Sequence, residues 1–236
     1  MAGKDSFRNI TPWRDPGRYG LTETLKGLAA EIPAGASVLD AGAGQCEYAD
    51  LFAHAKYYSC DFGKGEGAWD YSMTSCFCDL KACCFREGSF DYVVCTQVLE
   101  HVPEPWAVMD ELYRVLKPGG TLYLTAPFNG FKEHQAPYDF YRYTRYGLEY
   151  LARRSGFAET STRPVGGFFW MMSIFVMEMH RHLFPGRSPF WLKALRLPFK
   201  PLFSLFKKAV ARLFFYMDRY DRDKEFCLNY LLTCRK

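Results

Sequence analysis

A short apolar strand that runs straight into a glycine-containing turn is the feature of this sequence that most restricts its fold. Residues 37–40 form the strand, residues 41–44 include Gly42 and Gly44, and a helix is predicted over 46–54. Glycines let the backbone approach a ligand closely, and the N-terminus of a following helix presents free N–H groups to a carboxylate or phosphate. The arrangement therefore predicts a small-molecule site at the carboxyl end of the strand.

Strands and helices alternate along the rest of the chain. Strands are predicted at 56–61, 90–95, 121–126 and 226–234, and helices at 21–31, 105–116 and 144–154. Such alternation indicates an open α/β sheet that is mostly parallel. The 236 residues, 49% hydrophobic and 24% charged, fit one globular domain with an extension and exclude a disordered or collagen-like protein.

The residues around the turn narrow the class of cofactor. A dinucleotide-binding fingerprint requires a third glycine where this chain has Cys46, and Asp40, two residues before the first glycine, is foreign to that fingerprint. A nicotinamide cofactor is therefore disfavoured. Asp61 ends the second strand, where its carboxylate can accept from both hydroxyls of an adenosyl ribose.

Several motifs, taken together and in order, resemble the class I S-adenosylmethionine-dependent methyltransferases, in particular the methyltransferase type 11 group. They lie at 38–44, Asp61, 78–80, 89–94, 98–102 and 111–120, and the resemblance covers residues 20–165. It implies a Rossmann-like, seven-stranded and mostly parallel sheet, with an antiparallel last strand and a helical insertion before that strand. It also implies an enzyme that uses S-adenosylmethionine.

The resemblance further implies roles for individual side chains in cofactor binding. Gly42 and Gly44 would face the methionyl part, Asp61 the ribose and Asp79 the adenine amine, with Leu80 on the adenine ring. The full predicted cofactor set is Asp40, Gly42, Gly44, Asp61, Asp79, Leu80, Cys95 and Gln97. Cys46, where many relatives carry glycine, departs from the pattern and narrows the turn.

Methyl transfer to a hydroxyl needs alignment of the nucleophile and a group that accepts its proton. The candidate bases are His134, which follows the fifth strand, and His101. A hydrogen bond that fixes the loop, with Asp139 as partner, is the alternative role for His134. For His101 the alternative is a structural or cofactor-adjacent position.

The segment 134–144 resembles a stretch found in bacterial members linked to surface polysaccharide or glycan modification. Tyr138, Tyr141 and Arg142 are the predicted acceptor-binding residues, with a salt bridge to Asp139 as the alternative role for Arg142. The predicted reaction is O-methylation of a sugar or lipid-linked glycan. The alternatives are a quinone or other lipid-like small molecule as acceptor, and a non-catalytic S-adenosylmethionine-binding or membrane-scaffold protein.

Charge is unevenly distributed along the chain, although the formal net charge is only +4. Residues 166–236 carry 13 Lys and Arg against 5 Asp and Glu, whereas residues 1–165 carry 17 against 21. A basic, aromatic tail on an acidic body suggests an anionic partner, such as a membrane surface. We predict three parts: a cofactor-binding core (1–165), an insertion (166–217) and a final strand that returns to the sheet (218–236).

The insertion carries eight basic residues and no acid between Glu178 and Asp218. Its basic and apolar side chains recur on opposite faces, which is typical of helices that lie in a membrane interface. The basic set is Arg181, Arg187, Lys193, Arg196, Lys200, Lys207, Lys208 and Arg212, and the apolar set is Trp191, Leu192, Leu195, Phe199, Leu202, Phe203 and Phe206. A helical cap or lid is the alternative, and nucleic acid is disfavoured because the aromatic residues do not interleave with the charges.

The nine cysteines and an N-terminus without a signal-like apolar core predict reduced thiols in a cytoplasmic protein. Peripheral association with the inner face of the membrane stays open, and so does the oligomeric state. The most apolar run, residues 165–177, is too short to span a bilayer. Cys76, Cys78, Cys83 and Cys84 match no common zinc spacing, so no metal site is predicted.

Overall fold

The computed structural model describes residues 10–65, 69–129, 132–185, 189 and 197–236. The strands are β1 (Ser37–Ala41), β2 (Lys56–Asp61), β3 (Cys76–Phe77), β4 (Phe90–Thr96), β5 (Leu116–Pro127), β6 (Glu159–Val165) and β7 (Asn229–Arg235). They form one sheet in the order β3-β2-β1-β4-β5-β7-β6. Among the described strand pairs, β7 is antiparallel to β5 and β6, whereas the other pairs are parallel. The predicted α/β fold, with its antiparallel last strand, is confirmed.

Helices cover both faces of this sheet. They are α1 (Pro16–Glu31), α2 (Pro105–Val115), α3 (Arg145–Arg154), α4 (Phe168–Leu183) and α5 (Phe199–Met217). On one face Leu112 of α2 and Leu148 of α3 pack against Leu124 of β5, and all three are fully buried. On the other face Leu25 of α1 packs with Val38 of β1. Burial of the strands from two sides explains their near-continuous apolar sequences.

The segment after the glycine turn differs from its prediction. A helix was expected over 46–54, but the chain forms further turns and one short 3₁₀ helix, Ala49–Phe52. Cys46, the first residue of the predicted helix, adopts φ 54° and so cannot belong to a right-handed helix. The first turn therefore closes with short-range bonds, such as the one from the Cys46 amide to the Ala43 carbonyl at 2.8 Å.

Two further features of the fold were not predicted. β6 has no apolar alternation and contains Pro164, which is tolerated because β6 is an edge strand. Cys76 and Cys84, expected as free thiols, are joined in a disulfide, since β3 and the turn after the short helix Leu80–Ala82 bring them together.

The inserted helices α4 and α5 lie between β6 and β7 in the chain and pack against each other and against α1. Trp170 of α4 stacks on Phe215 of α5 with ring centroids 5.3 Å apart, and Tyr19 of α1 contacts both rings edge-on. In the following segment, Asp221 accepts from the Phe168 amide at 2.7 Å and so holds the start of α4. No helix in the described ranges is both long and apolar enough to cross a membrane.

Part of the predicted basic and apolar faces lies outside the described residues: Arg187, Lys193, Arg196, Trp191, Leu192 and Leu195. The division of the chain into 1–165, 166–217 and 218–236 stays a prediction.

Candidate active site

A cavity of about 350 Å³ opens where β1, β2 and β4 end, at the carboxyl edge of the parallel strands. Ligands of open α/β sheets bind at this edge. Seven of the residues singled out from the sequence line it: Gly42, Asp61, Asp79, Leu80, Gln97, His101 and Tyr138. Six others do not: Asp40, Gly44, Cys95, His134, Tyr141 and Arg142. No described residue of α4 or α5 lines the cavity.

The glycine turn is held against the end of β2 by hydrogen bonds. The amides of Gly42 and Ala43 donate to the Cys60 carbonyl at 2.8 and 3.0 Å. Gly42 has φ +79°, and a Cβ there would lie 2.4 Å from Val98 Cγ2, so no larger residue fits without displacing the wall. The turn therefore packs directly against the Val98 side chain, in the segment after β4.

Asp61 organises the rim of the cavity. One carboxylate oxygen accepts from the Gly44 amide and the other from the Gly63 amide, both at 2.8 Å. The side chain thus joins the glycine turn to the loop that follows β2, while it also lines the cavity. Gly44, although outside the lining, acts on the site through this bond.

Two members of the predicted cofactor set lie beneath the site and do not face it. Asp40 is buried and accepts from the Tyr57 hydroxyl at 2.7 Å, and burial raises the pKa of Asp40 to about 6. Cys95 is fully buried in the core, and burial raises the pKa of its thiol. Both residues support the turn and strand that form the cavity floor.

Another part of the cavity wall is formed by Asp79, Leu80 and aromatic residues. Asp79 accepts from the Lys81 amide at 2.9 Å and caps the short helix Leu80–Ala82, which fixes its carboxylate at the rim. Trp69 lies over the turn, since a Cβ on Gly44 would be 2.9 Å from its ring. Trp69 and Phe62 line the cavity but were not predicted from the sequence. The sequence signal for them is weak: both are aromatic and follow Asp61 within a few residues.

His101 lies at the end of the cavity formed by the segment after β4. Its Nδ1 is 2.6 Å from the Tyr138 carbonyl oxygen, which can only accept, so Nδ1 carries the proton. The remaining nitrogen, Nε2, has a free lone pair in the neutral ring. Burial lowers the pKa of His101 below its ordinary value, so the ring is neutral at pH 7.

Glu100 lies next to His101, within the motif at 98–102. Its side chain is fully buried, and neither carboxylate oxygen has a hydrogen-bond partner among the described residues. Burial raises the pKa of Glu100 to about 8, so the group is protonated at neutral pH. Its nearer oxygen is 3.8 Å from His101 Nε2. His101 therefore faces a neutral carboxyl group.

His134 and Arg142 belong to a loop that is fastened by Asp139. The backbone amide of His134 and both terminal nitrogens of Arg142 donate to the Asp139 carboxylate, at 2.9, 2.6 and 2.9 Å. The His134 ring packs edge-on against the His101 ring, with centroids 4.7 Å apart. Tyr141 donates to the Pro103 carbonyl at 2.9 Å. These side chains hold the wall behind Tyr138 and His101.

The comparisons with known proteins agree with this geometry. The methyltransferase type 11 family, described as "Methyltransferase domain", matches residues 39–124, which run from β1 through β5 and include the glycine turn, Asp61 and His101. The matched stretch therefore has the sequence of a methyltransferase domain, on the class I methyltransferase fold.

Relatives and solved structures resemble the methyltransferase domain to different extents. A ubiquinone biosynthesis O-methyltransferase of Xanthomonas axonopodis pv. citri (strain 306) is 37% identical over 110 residues, 39% of this chain and 44% of that protein. The chain spans less than half the length of the characterised relatives it matches. The structure of Haemonchus contortus phosphoethanolamine N-methyltransferase 2 in complex with S-adenosyl-L-methionine has a TM-score of 0.56 at 15% identity, over 100% of this chain and 60% of that chain. The cyclase SpnF has a TM-score of 0.58 at 20% identity, over 91% of this chain and 80% of that chain.

The residues around the cavity fit S-adenosylmethionine, the cofactor that the sequence resemblance implies. The carboxylate of Asp61 is fixed at the cavity rim, where it can accept from ribose hydroxyls. Leu80 and Trp69 supply apolar surface beside it. The loop of residues 132–143 lies beyond the matched stretch and contributes Gln135 and Tyr138 to the cavity wall.

The Asp139 cluster makes stability depend on pH. The Arg142 guanidinium holds the pKa of Asp139 well below its usual range. Its carboxylate therefore stabilises the fold above the unfolded-state pKa of about 3.9, and this contribution is lost as the pH falls below that value. We expect Asp139→Asn to lower the free energy of unfolding by about 1–3 kcal/mol at pH 7, and by less below pH 4, in urea titrations. An equal loss at pH 7 and pH 3 would contradict the assignment, with the exposed Asp50→Asn as control.

Proposed function

We propose that the protein is an S-adenosylmethionine-dependent O-methyltransferase that acts on a lipid-borne acceptor. The observation that supports methyl transfer to oxygen is the state of His101. Its ring lines the same cavity as Asp61, it is neutral at pH 7, and it keeps the Nε2 lone pair free. A neutral imidazole in this tautomer can accept the proton of a hydroxyl as the oxygen attacks.

Different side chains around the cavity bind the cofactor and take part in methyl transfer. S-adenosylmethionine supplies a methyl group on a positively charged sulfur. Asp61 binds the ribose, Asp79 and Leu80 hold the adenine, and Gly42 allows close approach of the backbone. Tyr138 and His101 would position an acceptor hydroxyl beside the methyl group that bound S-adenosylmethionine would supply, and His101 Nε2 would take the hydroxyl proton. Alignment by these walls contributes several kcal/mol to the barrier reduction.

The inserted helices support a lipid-borne acceptor. α4 and α5 expose a set of large apolar side chains: Phe175, Met179, Leu183, Phe199, Leu202, Leu205, Phe206, Leu213 and Tyr216. On α5 these residues recur at helical spacing, and Lys200, Lys207 and Lys208 lie on the same helix. Exposed apolar stripes with neighbouring lysines fit the interface of an anionic membrane.

Two kinds of head group fit a lipid-borne acceptor. A lipid-linked glycan is the first candidate, supported by the resemblance of residues 134–144 to members linked to glycan modification. A quinone or its phenolic precursor is the second, favoured by the relatives named as ubiquinone biosynthesis O-methyltransferases. A lipid-linked glycan and a phenolic quinone precursor both carry a hydroxyl on a membrane-borne lipid, so the same catalytic group serves either.

A methyl-transfer assay tests the proposed function and separates the candidates. The protein is incubated with methyl-labelled S-adenosylmethionine and a bacterial lipid extract, and the label is followed into the organic phase. We expect incorporation that Asp61→Ala abolishes. Mild acid hydrolysis releases a labelled sugar from a glycan, whereas the label stays with the aromatic fraction of a quinone. Tight cofactor binding without incorporation into any extract would support the non-catalytic alternative instead.

Membrane association gives a separate prediction. The double variant Leu202→Ser/Phe206→Ser removes two exposed apolar side chains from α5, each of which would contribute about 1.5 kcal/mol or more on burial. We expect its partitioning onto anionic vesicles in a sedimentation assay to fall by roughly 100-fold. Tyr150→Ser, an exposed position on α3, is the matched control. Wild-type protein that stays in the supernatant at low salt would exclude the membrane proposal.

A further inference from the structure

Beside the cofactor cavity, the fold gathers cysteines that the sequence keeps apart. Cys60 lies in β2, whereas Cys78 and Cys83 follow β3 on either side of the short helix Leu80–Ala82. Their three sulfurs lie within 4.8 Å of one another. In a tetrahedral zinc site with Zn–S bonds of about 2.3 Å, neighbouring sulfurs are roughly 3.8 Å apart. The three thiols are thus close to the spacing that a thiophilic metal ion requires.

The backbone around these cysteines is held from several sides. The Cys78 amide donates to the Asp61 carbonyl at 3.0 Å, which ties it to the end of β2. The Cys83 amide donates to the Glu111 carboxylate at 2.7 Å, and the Cys83 carbonyl accepts from Arg114 at 3.0 Å. Cys60 and Cys83 are buried, and Cys78 is half-buried. The sulfurs therefore converge on rigid elements, as a preformed metal site requires.

The three converging sulfurs also have the chemistry that a thiophilic metal ion selects, since thiolates are the metal-binding form of cysteine. None of the three cysteines lines the cofactor cavity. The methyl-transfer site therefore gives no reason for these sulfurs to converge.

We propose that Cys60, Cys78 and Cys83 bind one Zn²⁺ ion. Binding releases the thiol protons and leaves three Zn–S bonds, with a water in the fourth position. The ion would clamp the end of β2 to the 76–84 segment, which carries Asp79 and Leu80. This site is distinct from the proposed methyl-transfer centre and does not depend on its activity.

The Cys76–Cys84 disulfide determines how the site must be tested. Both sulfurs also lie within 4.8 Å of the Cys78 sulfur, so a reduced pair could compete for the ion. The double variant Cys76→Ser/Cys84→Ser keeps Cys60, Cys78 and Cys83 and cannot form the disulfide. It is therefore the background for the experiment, alongside the reduced wild-type protein.

Cobalt titration under reducing conditions is the test, because Co²⁺ replaces Zn²⁺ and gives thiolate charge-transfer bands. We expect one Co²⁺ per chain in the wild type and in the double-serine background, displaced by Zn²⁺. Adding Cys78→Ser to that background should abolish the bands, whereas Cys234→Ala, a buried cysteine in β7, should leave them unchanged. Absence of bands in the wild type, or bands that survive Cys78→Ser, would overturn the proposal. Bands that are present in the reduced wild type but absent from the Cys76→Ser/Cys84→Ser background would place the site at Cys76, Cys78 and Cys84. That result would overturn the assignment.

Discussion

Asp61→Ala is expected to weaken binding of S-adenosylhomocysteine by roughly 100-fold or more, measured by calorimetry. The carboxylate accepts from the Gly44 and Gly63 amides at 2.8 Å and faces the cavity at the predicted ribose position. Hydrogen bonds to a charged group contribute about 1.5–3 kcal/mol each, and each 1.4 kcal/mol is tenfold in affinity. The substitution removes the ribose contact and also frees the glycine turn from the loop after β2.

The control for this prediction is Asp50→Asn, at an exposed acid in the short helix Ala49–Phe52. It should leave the affinity within about twofold, because single surface substitutions rarely change an energy by more than about 0.5 kcal/mol. Asp61→Ala with wild-type affinity would show that the cofactor does not bind at this rim. Thermal melts of both variants without ligand separate lost binding from lost folding.

His101→Ala is expected to lower kcat by about 10²–10⁴-fold, the usual contribution of a general base. Cofactor affinity should stay nearly unchanged, since no predicted ribose or adenine contact involves this ring. Since burial lowers the pKa of His101, the base is active in its neutral form down to a pH below 6.5. The acidic limb of kcat against pH should therefore lie below 6.5, with a plateau through neutral pH.

A parallel variant, His134→Ala, distinguishes the two candidate bases. If His134 were the base, its removal would reduce kcat as strongly as removal of His101. We expect a smaller effect, because His134 packs on the His101 ring, is held by Asp139 and lies outside the cavity lining. His54→Gln is the control, because the His54 ring contacts the Ile32 carbonyl and lies outside the cavity lining. A wild-type rate for His101→Ala would remove this residue from the mechanism.

Local sequence signals predicted the scaffold well because they reflect contacts within a few residues. The strand expected at 56–61 coincides with β2, and the helix expected over 144–154 is α3, capped by the Thr144 hydroxyl. The helix predicted over 46–54 was wrong. Cys46 adopts a left-handed backbone conformation, and no pattern of apolar residues signals that conformation. β6 was missed because an edge strand that pairs on one side alone needs no apolar alternation.

The residues of the candidate site also fall into two groups: those that local sequence could place and those that it could not. Asp61 and Gly42 could be placed at the cavity from sequence because each follows a strand directly, and parallel strands end at one edge of the sheet. The choice between His101 and His134 could not be made, since both follow strands and carry the same ring. This choice depends on the position of the His134 ring, which is set by the loop that Asp139 holds.

The sequence by itself determined most of the alternating strands and helices, the glycine turn, the acid at the end of β2 and the basic, aromatic character of the inserted helices. These properties follow from residue type, spacing and composition. The tertiary structure alone decided the burial of Glu100, the tautomer of His101, the position of Trp69 and the meeting of Cys60 with Cys78 and Cys83. Each of these depends on the distance between side chains that are brought together by folding, which no local pattern records.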